Sequence, residues 1–214
     1  MLDVVIDLHG PEPVKSWEMV KNAGIMAVIH KATEGMDFTD KKFAQRRVEA
    51  QKAGLLWGSY HFGTASDPGK QARNFLEVVD PGPKDLIVLD LEENFKNPPN
   101  SMSVHKAEVF VTFVHDRLGR WPVLYAGADL RSLLNGKPNE ILRNCELWLA
   151  DWRDEPHLLP GWDRFALWQY SGGTSKTTGS HTKVPHPVPG LVEPPDRSKF
   201  NGDEQEMRKF FGAG

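Results

Sequence analysis

Residues 86–92 read LIVLDLE, and this short stretch decides how the chain is organised. An unbroken apolar run that ends in acids is typical of a strand buried on both faces. Residues 67–79 before it and residues 103–118 after it have the apolar spacing of amphipathic helices. A buried strand between two such helices is the repeating unit of a parallel sheet with helical crossovers.

The same alternation of strands and helices extends outward from residues 86–92. Strands are predicted at residues 4–8, 25–31, 55–62, 86–91 and 122–126, and helices at residues 14–23, 40–53, 67–79 and 103–118. After residue 126 further strands are predicted at 146–150, 165–170 and 188–192, with no full helix between the later ones. The fold class is therefore predicted as α/β, a trimmed TIM-like barrel of five β/α units followed by three strands. Residues 1–214 are expected to form a single domain, since one core suffices for a chain of this length. A complete eightfold barrel needs about 250 residues, so a barrel of this length must be shortened.

Composition excludes several classes of partner. The formal net charge is -3, so the basic surface of a nucleic-acid-binding protein is not expected. No apolar run approaches the ~20 residues that span a bilayer, so no membrane partner is expected. Residues 1–10 lack the basic and apolar regions of a signal peptide, which predicts synthesis in the cytoplasm. Cys145 is the one cysteine; we expect it to be a small buried side chain, and we expect the chain to be a monomer.

Acidic residues follow several of the predicted strands. Asp7 ends the first strand, Asp90 and Glu92 end the fourth, Asp151 follows the strand at 146–150, and Asp196 comes just after the last one. Barrel enzymes carry their chemistry at the carboxyl ends of the strands. Asp90 and Glu92 are two residues apart, so they face the same side of the strand. Burial and mutual repulsion would raise the pKa of one of them, which suits a proton donor near neutral pH, although such acids can also cap a helix or bind a surface lysine.

Paired carboxyls are the catalytic groups that glycoside hydrolysis requires. One carboxyl protonates the leaving oxygen, and a second group stabilises or attacks the sugar cation. The seven tryptophans, several beside acids, suit sugar binding or plain packing. Trp148 and Trp168 are candidate groove residues on this basis. Glu34 either lies in the groove or caps a helix, and Asp151 either binds substrate or supports the site from behind.

A series of short motifs runs along almost the whole chain in a distinctive order. They are VIDL at 5–8, AGI at 23–25, HKATEG at 30–35, Asp40 with Phe43, AGL at 53–55, GSYHF at 58–62, LDLE at 89–92, WLA at 148–150, LWQYS at 167–171 and DRSKF at 196–200. In this order and spacing the sequence resembles the glycoside hydrolase family 25 muramidases, the Chalaropsis-type lysozymes. Two features depart from the family pattern: His9, where a small hydroxyl residue is common, and a long loop at 174–189, which is either plain surface or a flap over the substrate.

The resemblance implies a barrel of five β/α units and three strands, in agreement with the strand pattern. It implies hydrolysis of the β-1,4 bond between N-acetylmuramic acid and N-acetylglucosamine in peptidoglycan glycan strands. Glu92 would be the general acid, Asp90 would orient or polarise the substrate, Asp7 and Asp196 would complete the acidic floor, and Tyr60 would lie near the scissile sugar. No metal and no cofactor are expected. Either a carboxylate or the substrate's own N-acetyl oxygen attacks, and we favour the second, with retention of configuration.

Other functions stay open on the sequence alone. The barrel could be a catalytically inactive glycan-binding module, a metal-dependent deacetylase with Asp and His ligands, or a chitinase-like hydrolase, which also has an Asp-x-Glu on its fourth strand. The muramidase interpretation places the action at the cell wall. Without a signal peptide, release through a lysis pore, as for a phage endolysin, is the expected route.

Overall fold

The computed structural model describes residues 1–173 and 185–213, and it contains a closed barrel of eight strands with one small additional strand. The strands are β1 (Leu2–Leu8), β2 (Ala27–Glu34), β3 (Phe38–Thr39), β4 (Leu56–Phe62), β5 (Leu86–Asp90), β6 (Val123–Ala126), β7 (Leu147–Ala150), β8 (Leu167–Gly172) and β9 (Asp196–Phe200). The helices are α1 (Trp17–Asn22), α2 (Phe43–Lys52), α3 (Pro68–Val79), α4 (Val104–Leu118), α5 (Ala128–Leu134) and α6 (Glu204–Phe210). Short 3-10 turns occur at Pro98–Asn100 and Leu142–Asn144.

The barrel closes through a single antiparallel strand. Strands β1, β2, β4, β5, β6, β7 and β8 pair in parallel in that order. Strand β9 pairs antiparallel with both β8 and β1 and so completes the ring. The two-residue β3 pairs with the end of β2 outside the ring. Because β9 runs the opposite way, its first residue lies at the same rim as the last residues of the parallel strands.

Two apolar layers follow from the alternation of side chains along each strand. Val5, Ile29, Val88 and Leu167 point into the barrel and pack there with Tyr125 and Trp148, among others. The residues between them point outward and pack against the helices in a larger layer. One outward residue is His61, which is fully buried, stacks on Phe110 of α4 with ring centroids 5.0 Å apart and hydrogen-bonds Thr33 and Gln71. His61 therefore faces away from the neighbouring Tyr60, which packs inside the barrel.

The predicted fold class is confirmed, with corrections at particular segments. Residues 188–192 do not form a strand: they contribute only an isolated bridge between Val14 and Leu191. The closing strand is β9, so Asp196 begins a strand instead of following one. Helix α1 is shorter than predicted, starting after the N-cap Ser16. The pattern did not predict α5 or α6, which are only seven residues long each.

The predicted loop at 174–189 lies mostly outside the described residues, since the description resumes at residue 185. Within the described ranges, no helix combines the length and the apolar character needed to cross a membrane.

Candidate active site

The carboxyl-end rim of the barrel holds a cleft of about 260 Å³ in which four acids meet. The acids are Asp7 from β1, Asp90 from β5, Glu92 just beyond it, and Asp196 from β9. Side chains along a strand point alternately into and out of the barrel, and all four acids lie at inward-pointing positions. Leu91, between Asp90 and Glu92, points outward and is buried in the outer layer. The cleft is otherwise lined by Tyr60, Phe95, Tyr125, Trp148, Trp152 and Gln169.

Asp7 and Asp196 form a close pair across the β1–β9 ladder. They are register partners, and a hydrogen bond between the two carboxyls is among the influences on Asp196. Such a bond needs a proton on one of the two groups, because ionised carboxylates only accept hydrogen bonds. Burial first, and then repulsion from Asp196, raise the pKa of Asp7 well above its usual value. Burial and the charge of Glu12 raise the pKa of Asp196 to about 7.

Gln169 fixes the orientation of Asp7. Its amide nitrogen donates to both carboxyl oxygens of Asp7 at 3.2 and 3.0 Å. Its amide oxygen accepts from the Tyr125 hydroxyl at 2.8 Å and from the Trp152 indole at 2.9 Å. Because the oxygen takes two donors and the nitrogen faces a carboxyl, the amide can adopt only one orientation.

Asp90 and Glu92 form the second acidic pair. Burial first, and then the charge of Glu92, raise the pKa of Asp90 well above its usual value. Asp90 Oδ1 is buried and has no hydrogen-bond partner among the described residues. Burial and the charge of Asp129 raise the pKa of Glu92 to about 7. At neutral pH this pair therefore holds a transferable proton.

Lys31 is a basic group whose charge acts on this second pair. It lies at an inward position of β2, is 14% exposed, and forms an ion pair with Glu34 at 2.5 Å. Its charge lowers the pKa of both Asp90 and Glu92 and so partly offsets the effect of burial. Lys31 belongs to the predicted HKATEG motif but had no predicted role. Its position on the inward-facing side of the second strand was the signal that could have revealed it.

Tyr60 and Trp148 line the cleft as predicted. The Trp148 indole donates to Ser198 at 2.9 Å and packs edge-on to Tyr125, with ring centroids 4.7 Å apart. The ring is thus held in place before any ligand arrives. Aromatic faces beside carboxyls give the cleft both apolar and hydrogen-bonding surfaces.

Three predicted substrate-binding residues are not brought into the cleft. Trp168 points outward: its indole donates to the Asp151 carbonyl at 2.6 Å, and Lys199 lies over its ring. The Asp151 carboxylate is bound by Arg153 at 2.6 and 2.7 Å, and its pKa is lowered despite its burial. Glu34 pairs with Lys31 beside the cleft and does not line it. Trp168 and Asp151 lie outside the cleft for the same reason: each occupies a position whose side chain points out of the barrel.

Four residues that line the cleft were missed by the sequence analysis: Phe95, Tyr125, Trp152 and Gln169. The side chain of Gln169 points into the barrel, whereas that of Trp168 points out. Assigning the alternation along β8 correctly would therefore have identified Gln169. Phe95 and Trp152 lie in loops, where side chains do not alternate regularly and no sequence pattern predicts their direction. In the described ranges no three or more His, Cys, Asp or Glu side chains are grouped as a metal site.

A barrel that gathers proton-holding carboxyls between aromatic walls at the carboxyl ends of its strands has the equipment of a glycoside hydrolase. The family model described as glycosyl hydrolases family 25 matches residues 6–178. The chain belongs to that family.

Relatives and solved structures agree with this assignment. Lysozyme M1 of Streptomyces globisporus is 30% identical over 207 residues, which are 90% of this chain and 65% of that protein. The N,O-diacetylmuramidase of a Chalaropsis species is 28% identical over 199 residues, or 81% of this chain and 93% of that protein. The crystal structure of the bacterial lysozyme from Streptomyces coelicolor has a TM-score of 0.80 at 25% identity, covering 100% of this chain and 98% of that one. The chain spans between 61% and 65% of the length of the first curated relatives it matches.

Proposed function

We propose that this protein is a muramidase that hydrolyses the β-1,4 bond between N-acetylmuramic acid and N-acetylglucosamine in peptidoglycan. The observation that carries the proposal is the meeting of Asp7, Asp90, Glu92 and Asp196 in one cleft. Family membership and the similarity to lysozymes and N,O-diacetylmuramidases support the same substrate class. The cell wall is then the place of action.

Glu92 is the general acid in this proposal. Its pKa is raised to about 7 by burial and by Asp129, so the carboxyl still carries a proton at neutral pH. A proton held near the working pH is transferred most effectively to a leaving glycosidic oxygen. Glu92 also borders a neighbouring, more apolar cavity of about 330 Å³, which leaves room for substrate on both sides of the carboxyl.

Asp90 positions the N-acetyl group of the substrate. Its buried Oδ1 lacks a partner among the described residues and can accept the acetamido N–H. When the acetamido oxygen attacks the anomeric carbon, positive charge develops on that group. This charge favours the ionised form of Asp90, because an opposite charge lowers the pKa of a carboxyl. Substrate assistance with retention follows, and the pair of Asp7 and Asp196 adds negative potential around the sugar cation.

The test is the release of reducing ends from purified peptidoglycan by wild type and Glu92→Gln. We expect the variant to lose at least about 100-fold in kcat while keeping its circular dichroism spectrum and Tm. Glu77→Gln is the matched control, since Glu77 is exposed on α3 and lines neither the acidic cleft nor the neighbouring cavity. Normal activity of Glu92→Gln would refute the assignment of the acid.

Two further readouts separate the competing functions. Cleavage of N-acetylglucosamine oligomers in place of peptidoglycan would identify a chitinase-like enzyme. Binding of wall fragments without cleavage between pH 4 and 8 would identify a glycan-binding module. The anomer first formed, followed by proton NMR, tests the mechanism: initial inversion would exclude substrate assistance.

A further inference from the structure

The loop after β1 is held in place by buried polar contacts. The Arg46 guanidinium donates to the carbonyls of His9 at 2.9 Å, Gly10 at 3.3 Å and Glu12 at 2.5 Å. Asp40 accepts from the Gly10 amide at 2.6 Å. A Cβ on Gly10 would lie 2.6 Å from an Asp40 oxygen, so the two segments are in the closest possible contact. The backbone of this loop is therefore fixed with respect to the barrel rim.

This fixed loop presents His9 and Glu12 as a bonded pair. His9 Nδ1 lies 2.7 Å from Glu12 Oε2, and the same oxygen accepts from the His9 amide at 2.6 Å. The side chains are 49% and 24% exposed. Both line a polar cavity of about 220 Å³ together with Asp7, Tyr60 and Asp196. The cavity adjoins the acidic cleft because these last three residues line both.

The charged groups around this pair and Asp196 come from several segments of the chain. Glu12 lies on the same loop as His9, Lys31 on β2, and Asp196 on β9. Asp196 in turn is influenced by Glu12, His9, Glu92 and Asp7. Glu193 also lines the cavity, from the segment that precedes β9. The hydrogen bond to Glu12 raises the pKa of His9 above its ordinary value, so the ring keeps its proton to a higher pH than a free imidazole does.

We propose that His9 and Glu12 are positioning residues that set the pH at which the Asp196 carboxyl releases its proton. The proposal rests on the proposed function only in making Asp196 part of the reaction site. Glu12 disfavours ionisation of Asp196, whereas the imidazolium of His9 favours it. As the pH rises and His9 loses its charge, Glu12 is no longer compensated. Asp196 then keeps its proton to a higher pH than it would with the imidazolium in place.

Because Glu12 and His9 act on the Asp196 carboxyl in opposite directions, replacing each of them in turn tests the proposal. The titration of Asp196 is followed by carbon NMR of the carboxyl in protein labelled at aspartate, in wild type, His9→Asn and Glu12→Gln. His9→Asn should raise the pKa of Asp196 and Glu12→Gln should lower it, each by roughly half a unit to one unit for a neighbouring, partly screened charge. Glu12→Gln should also lower the pKa of His9. The limb of the pH profile of muralytic activity that reports Asp196 should move in the same directions.

His105→Asn is the matched control, because His105 and Glu108 form a similar pair three residues apart on α4. It should leave the Asp196 titration unchanged. Titrations of Asp196 that coincide in wild type and His9→Asn, or shifts of equal sign in the two cleft variants, would overturn the proposal. The NMR titration needs no substrate, so opposite shifts in a protein without muralytic activity would support this proposal while refuting the proposed function.

Discussion

Gln169 is the residue on which the floor of the cleft depends. Its amide satisfies the Tyr125 hydroxyl, the Trp152 indole and the Asp7 carboxyl at once, and Gln169 itself is only 2% exposed. A buried polar group that loses its partner costs about 1–3 kcal/mol. The hydrogen bond from Gln169 also lowers the pKa of Asp7, against the effect of burial. One side chain therefore contributes both to stability and to the charge state of the site.

We expect Gln169→Leu to reduce the free energy of unfolding by about 2–4 kcal/mol, because it leaves several buried polar groups unpaired at similar volume. Urea denaturation followed by tryptophan fluorescence measures the change. Gln45→Leu is the control: Gln45 makes an exposed hydrogen bond to Glu49, and its loss should cost within about 0.5 kcal/mol. Equal effects of the two substitutions would contradict the role given to Gln169.

Asp196 should make stability depend on pH. Its pKa is about 7 in the folded protein and 3.8 in the reference state, so the folded protein holds a proton that the unfolded chain releases. The resulting stabilisation is complete below pH 4 and is lost as the pH rises through 7. Relative to Asp196→Asn, the wild type should lose about 1 kcal/mol or more of unfolding free energy between pH 4.5 and 7.5.

The measurement is urea denaturation of both proteins at several pH values in this range. Taking the difference removes the contributions of His30 and His61, whose lowered pKa values make stability change in the opposite direction. The exposed Asp163→Asn is the control, and its free energy of unfolding should stay within about 0.5 kcal/mol of the wild type. A constant difference for Asp196→Asn would show that its pKa is not raised by folding.

At the scale of elements, the helices hold the rim from outside. Strand β4 illustrates this arrangement, since Tyr60 points into the cleft while the next residue, His61, stacks on Phe110 of α4. Phe75 of α3 lies against the same two rings. The interface of α3 and α4 thereby determines the position of the strand that carries Tyr60.

We expect Phe110→Ala to destabilise the protein by about 3–5 kcal/mol, because it leaves a cavity at a fully buried position between α3, α4 and the barrel. Val109→Ala, at a position 39% exposed on the same helix, should cost less than about 1 kcal/mol. Thermal unfolding by circular dichroism compares the two variants. A small loss for Phe110→Ala would mean that the helix layer does not support the barrel in this way.

The direction of β9 determines at which rim of the barrel Asp196 lies. Had β9 run parallel to its neighbours, Asp196 would begin it at the opposite rim, far from Asp7. Its antiparallel pairing brings Asp196 beside Asp7 in the ladder. Five helices, α1 to α5, lie between the parallel strands from β1 to β7, and within the described residues no helix lies between β7 and β8.

At the scale of the whole molecule, Cys145 offers a reporter of global unfolding. The thiol is 2% exposed, and burial raises its pKa to about 12. We expect a thiol-specific reagent at neutral pH to label it at least about 100-fold more slowly in the native protein than in concentrated urea, because labelling requires opening of the structure. Labelling rates at increasing urea should follow the unfolding equilibrium. Fast labelling without urea would show that local opening exposes this layer.

The sequence alone predicted the fold class, the alternation of strands and helices up to residue 126, and the strand ends that carry Asp7, Asp90 and Glu92. It could do so because a period of two along each strand and acids at strand ends are local features. The spacing of Asp90 and Glu92 predicted that they share one face of the strand. The phase of the later strands was not predicted, and for that reason Trp168 was chosen where Gln169 lines the cleft.

The tertiary structure decided which acids keep their protons and which are neutralised. Asp151 follows its strand as Asp7 does, yet Arg153 binds it outside the cleft, whereas Asp7 meets Gln169 from a position 162 residues away. Raised pKa values arise from burial and from charges brought together by barrel closure, and neither exists in the extended chain. The antiparallel course of β9 is likewise a property of the closed ring, because ladder pairing joins segments that no local pattern connects.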